Sequence, residues 1–260
     1  MDRRLLAVAL LAALAFAAAP VLSAPHGPPT TRAFTLEVTA GACPYGDGVC
    51  LAYNGQVPGP TFDVNLGDTL VVTLVNRIAE TLPPGAPEHL ARASVSWHVH
   101  GMAVSVANDG VGESSAPPGG SFTYTTRAAF AGSWHYHDHV IGFDGDEGAG
   151  RGLYGGIIVR NGAEPRPDAV FDLHLLDAGP NGGRGLHGNV SAGSDFELLV
   201  IGLENIGWKV ELRDPAGALV GRFDAWPGLS GRIVVEDAKP GSYVWRASGF
   251  GVRTGEVRVS

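Results

Sequence analysis

Gly132-Ser133-Trp134-His135-Tyr136-His137-Asp138-His139 alternates histidine with another residue for about the length of one β-strand. Successive side chains on a strand leave opposite faces, so His135, His137 and His139 are expected on one face, and Tyr136 and Asp138 on the other. Upstream, Trp97-His98-Val99-His100-Gly101 repeats the period of two, and His98 and His100 project together. Two strands of one sheet can thus aim several imidazoles at a shared space. Histidine with little thiolate or carboxylate nearby suits copper, zinc, iron or nickel rather than calcium or magnesium. The histidines outside these clusters, His26, His89, His174 and His187, read as hydrogen-bonded structural or tail residues.

Outward from these stretches the periodicity stays that of strands. Ala33 to Val38, Thr69 to Val75, Ser94 to His100, Ser121 to Thr126, Ser133 to His139 and Gly156 to Val159 are short, β-branched or aromatic, and bounded by Gly, Pro or Asn. After a linker at 163–167 a second set follows: Phe196 to Leu203, Trp208 to Leu212, Gly231 to Glu236, Ser242 to Ser248 and Glu256 to Ser260. No segment reads as a long helix. The expected fold is all-β, with two antiparallel sandwiches at 24–162 and 168–260, each large enough for its own core. Scattered Gly (38) and Pro (18) agree with many tight turns. The formal charge of −8 excludes a basic nucleic-acid binder.

Residues 1–23 read as an export signal. Arg3 and Arg4 precede an apolar run from Leu5 to Ala19, and Val21-Leu22-Ser23 places small residues for cleavage before Ala24. Pro20 interrupts the run well short of the roughly 20 residues that a membrane span needs, so an integral membrane protein is not expected. The mature chain is expected to be secreted or periplasmic. An exported compartment favours oxidation, and Cys43 and Cys50 bracket a turn-rich loop whose ends can meet, which predicts a disulfide. Cleavage would expose Ala24-Pro25-His26, but Pro25 lacks the amide that an amino-terminal copper motif deprotonates.

Several motifs then come in a recognisable order. They are Asn54 to Thr61, Gly67-Asp68-Thr69-Leu70, Trp97 to Gly101, Asp109-Gly110-Val111, Pro118 to Tyr124, Gly132 to His139 and Gly152-Leu153-Tyr154-Gly155. Together, over residues 50 to 160, they resemble the first Greek-key cupredoxin domain of multicopper oxidases, most of all that of the two-domain small laccases. The resemblance implies copper: His98 as a type 2 ligand, and His100, His137 and His139 as type 3 ligands. It makes His135 a non-ligand, and Asp109 an acidic neighbour that handles protons.

The second half departs from that family. Where the resemblance requires a His-x-x-His-x-His stretch, Gly202 to Lys209 has no histidine, and Arg246-Ala247-Ser248 stands where His-Cys-His is expected. A blue, type 1 copper needs a thiolate, so none is expected, and 168–260 reads as a degenerate cupredoxin-like or an immunoglobulin-like sandwich. Three functions stay open: a copper-dependent oxidoreductase with one or two coppers that is not a standard laccase, a copper carrier or buffer, and a partner-binding module. The resemblance further implies a homotrimer. The absent ligands or electrons would come from another chain or a protein donor.

Overall fold

The computed structural model describes residues 21–23, 27–43, 48–142, 146–162, 164–176, 179–183, 185–203, 206–249 and 251–260. In chain order the strands of the first half are β1 (Val21–Ser23), β2 (Thr31–Ala42), β3 (Val49–Tyr53), β4 (Gly59–Asn65), β5 (Thr69–Asn76), β6 (His98–His100), β7 (Ser121–Arg127), β8 (Gly132–His137) and β9 (Tyr154–Arg160). The second half holds β10 (Ala169–Leu176), β11 (Gly179–Pro180), β12 (His187–Val190), β13 (Phe196–Gly202), β14 (Trp208–Arg213), β15 (Leu219–Ala225), β16 (Ser230–Val235), β17 (Gly241–Gly249) and β18 (Gly251–Val259). The longest helix among the described residues, Asp146–Arg151, is far too short to cross a membrane.

Each half is a two-sheet sandwich. Sheets β1-β4-β9-β8-β6 and β3-β2-β5-β7 enclose one core, and β11-β10-β13-β16 and β12-β18-β17-β14-β15 enclose another. Strand β5 shows why: Leu70, Val72 and Leu74 point into the core while Thr69, Val71 and Thr73 alternate outward. The sheets are mixed rather than antiparallel as expected. β2 runs parallel to β5, β4 to β9, β10 to β13 and β12 to β18, because strands that are neighbours in a sheet are reached by chain that first crosses to the other sheet. Of the expected export segment, 1–20 lie outside the described residues, and Val21–Ser23 run parallel to Thr61–Asp63 at a sheet edge. His26 also lies outside them. Cys43 and Cys50 form the expected disulfide.

The two sandwiches pack through strands that are buried on both faces. In β9, Ile157 and Val159 enter the first core while Ile158 meets Val170 of β10 and Leu199 and Ile201 of β13. In β13, Leu198 and Val200 turn to the second core instead. Strands covered on both faces read as unbroken apolar runs.

Asp172 and His174 lie on the same face of β10 as Val170, buried between the sandwiches. Thr61 Oγ1 donates to Asp172 Oδ2 at 2.5 Å, and the Tyr154 and His174 rings lie 4.7 Å apart. Neither His174 nitrogen nor Asp172 Oδ1 has a hydrogen-bond partner at ordinary distance, and a longer contact with the Gly155 backbone is what the structure holds of the hydrogen bond expected for His174. Burial pushes Asp172 up to about 7 and His174 down to about 3. A raised folded-state pKa gives stability that is complete below the ordinary 3.8 and is lost as pH rises through about 7. His174 works in the opposite sense, costing stability as pH falls from 6.5 towards 3. Asp172→Asn mimics the neutral acid. In denaturant titrations it should gain up to about 4 kcal/mol over wild type at pH 8 and nothing at pH 4; an equal effect at both would refute burial as the cause.

Candidate metal centre

Strands β6 and β8 are antiparallel, and the register sets His98 opposite His137 and His100 opposite His135. Directly opposed residues share a face, so four imidazoles meet on one side of the sheet. On the other side Val99 and Tyr136 are core, with Tyr136 Oη donating to the Pro60 carbonyl at 2.7 Å. The expected strand to His139 stops at His137. Asp138 ends it, because its buried carboxylate accepts from the Ser96, Val140 and Ile141 backbone N–H groups and from Ser96 Oγ. Ser96 Oγ in turn accepts the His139 N–H at 2.8 Å, so the turn after β8 is fixed at both ends.

One nitrogen from each of His98, His100 and His137 lies within 4.8 Å of the other two. The His139 ring stands 4.7 Å from His98 and 5.5 Å from His137, beside this trio rather than within it. His135 is buried and stacks on His100 at 4.9 Å. Two rings have their tautomer set by the backbone. His98 Nδ1–H donates to the Asp109 carbonyl at 2.5 Å and His137 Nδ1–H to the Asp138 carbonyl at 2.8 Å, which leaves both Nε2 lone pairs free. The Asp109 carboxylate stands 3.4 Å from the same His98 nitrogen. Burial lowers His98 and His100 and takes His137 down to about 3, so these imidazoles are neutral donors at physiological pH.

Of the histidines outside the clusters, His89 binds Glu147 at 3.0 Å and His187 is exposed. Among the described residues of the second half none joins the histidine cluster. Trp208 and Ala247 are core residues and Arg246 is solvent-exposed. Both cysteines are spent in the disulfide. Sequence reasoning missed that the second sandwich touches the histidine face. Ser230 Oγ lies 3.3 Å from His135 Nδ1, and Gly228 packs against His100. Contacts that join residues about a hundred positions apart leave no local signal.

Comparison with known proteins matches residues 37–84 and 86–164 to the multicopper oxidase family. Laccase-2 of Cryptococcus neoformans var. grubii is 33% identical over 143 residues, which is 53% of this chain and 21% of that protein. L-ascorbate oxidase of Brassica rapa subsp. pekinensis is 35% identical over 140 residues, 50% of this chain and 22% of that protein. The chain thus spans about a fifth of the length of the curated relatives it matches. A solved multicopper oxidase superposes with a TM-score of 0.65 at 20% identity, covering 88% of this chain and 89% of its own, a likeness of fold. Residues 37–84 and 86–164 form a domain of the multicopper oxidase family, and the histidine cluster lies in it.

Proposed function

We propose that this chain is an exported copper protein in which His98, His100, His137 and His139 hold copper in the manner of type 2 and type 3 sites, and that it is a copper-dependent oxidoreductase. The observation that carries the reading is the convergence of three imidazole nitrogens within 4.8 Å on a domain of this family. The donors fit the metal: they are neutral nitrogens, with carbonyls fixing His98 and His137 so that Nε2 is free. Copper bound there would supply one-electron chemistry and Lewis acidity.

The chain's own residues supply orientation and proton handling. The Asp109 carbonyl holds the His98 ring, and its carboxylate, 3.4 Å from Nδ1 and one-third exposed, can pass a proton between solvent and this face. Both cysteines are paired, so no thiolate is available for a type 1 copper and electrons must come from an external donor. That same fact favours a second reading, a carrier that delivers copper without turnover. Within this proposal 24–162 and 168–260 are two domains joined by 163–167, residues 1–23 direct export, and a homotrimer or a partner completes the ligand set.

Metal analysis of the exported protein, with visible and paramagnetic resonance spectra, is the test. The expected result is about one or two coppers per chain without an intense thiolate-to-copper band. Oxygen consumption with a reduced donor that falls in Asp109→Ala marks the enzyme, and stoichiometric transfer to an acceptor without turnover marks the carrier. Preferential retention of zinc would overturn the redox reading.

A further inference from the structure

The second sandwich supplies no histidine to the cluster, yet one short segment of it reaches the histidine face twice. Trp226-Pro227-Gly228-Leu229 is a tight turn closed by the Leu229 N–H on the Trp226 carbonyl at 2.9 Å. Pro second and Gly third, with Gly228 at φ +79°, are the residues that a type II turn demands. Two further bonds pin the turn to the end of β13: Gly228 N–H to the Gly202 carbonyl at 2.8 Å, and Gly202 N–H to the Leu229 carbonyl at 2.9 Å. The turn therefore cannot retreat from what it touches. A Cβ at Gly228 would lie 2.6 Å from His100 Nε2 and 3.2 Å from its Cδ2. Two residues on, Ser230 Oγ is 3.3 Å from His135 Nδ1, and the His135 ring stacks on both His100 (4.9 Å) and His137 (5.7 Å).

We propose that Gly228 and Ser230 are positioning residues for the histidine cluster, so that the second sandwich sets the geometry of a site to which it gives no ligand. Gly228 is a wall without a side chain that fixes how far the His100 ring can swing. Ser230 holds His135, and the stacked rings carry that restraint to His100 and His137. This deepens the copper reading, and rests on it only where metal is measured; the ring geometry belongs to the apo protein.

The test is imidazole nitrogen NMR of the full-length apo protein in three variants. Gly228→Ala should move the His100 and His135 resonances. Gly217→Ala is the control: Gly217 has the same left-handed backbone, φ +84°, with nothing within 4 Å of an added Cβ, so it carries the strain without the contact and should leave these signals in place. Ser230→Ala strains nothing, should move His135, and decides alone if Gly228→Ala does not fold. In copper titrations Gly228→Ala should bind about tenfold more weakly than wild type, as expected for groups that orient ligands, and Gly217→Ala should match wild type. Unmoved His100 signals in a folded Gly228→Ala, equal movement in Gly217→Ala, or unmoved His135 signals in Ser230→Ala would each overturn the proposal. Wild-type protein that binds no copper would sink the copper reading while the apo spectra still judge this one.

Discussion

Replacing His98 and His137 together with alanine is expected to abolish copper retention while the apo protein still folds. The two rings face each other across β6 and β8, and each presents a free Nε2 because a backbone carbonyl takes its Nδ1–H. The double change removes two of the three nitrogens that converge within 4.8 Å, and of the proposed ligands only His100 and His139 remain. Four-ligand structural metal sites hold about 10–16 kcal/mol, so losing two ligands costs roughly 5 kcal/mol or more, several thousandfold in affinity. The fold should survive because no histidine belongs to the apolar core of the first sandwich. The change strands the Asp109 and Asp138 carbonyls, at about 1 kcal/mol each, against a total stability of about 5–15 kcal/mol. Metal content after dialysis, titration calorimetry and circular dichroism are the measurements. His187→Ala, at an exposed site, should keep its copper. A double variant that retains copper, or that fails to fold where wild-type apo protein folds, would remove these residues from the site.

What the sequence disclosed about this site is what a period of two can disclose. Alternation put His98 with His100 and His135 with His137, and these are the rings that meet. It could not show where β8 stops, because that depends on the Asp138 carboxylate gathering donors from Ser96, Val140 and Ile141. Asp109 was legible as a neighbour of the cluster, but the shorter contact is made by its backbone carbonyl, which any residue carries. Three strands that escaped notice share a cause. Val49–Tyr53, Gly59–Asn65 and Ala169–Leu176 are buried on both faces, or nearly so, and a strand without a wet side does not alternate. Asp172 and His174 break the apolar run of β10 further, since their burial depends on the other sandwich. Leu219–Ala225 is missed for the opposite reason: it is an edge strand, exposed along most of its length.

The polar tie between the sandwiches should give the largest loss of stability. Arg160, at the end of β9, is 0% exposed and binds Asp63 of β4 through Nε at 3.1 Å and Nη2 at 2.8 Å. It also binds Glu197 of β13 through Nη1 at 2.6 Å and Nη2 at 2.8 Å, and Glu164 at 3.2 Å. Arg166 pairs with Asp63, and Arg232 with both Glu164 and Glu197, so three guanidinium groups balance three carboxylates. Removing the central cation leaves Asp63 and Glu197, 1% and 4% exposed, without the fork that joined them. Such a broken buried pair costs about 3–5 kcal/mol, so Arg160→Met should lose that much in denaturant unfolding at pH 7. Arg160→Lys should fall between the two, because an ammonium keeps the charge but cannot make paired bonds to two carboxylates at once. The apolar contact that remains is two four-residue clusters, Ile158 with Val170, Leu199 and Ile201, and Ala52, Val57 and Tyr154 with Leu176, so unfolding should separate into two transitions, one for each core. A variant within about 1 kcal/mol of wild type, still unfolding in one step, would mean that the packed apolar face alone holds the sandwiches together and that the charges are neutral to stability, as some buried ion pairs are.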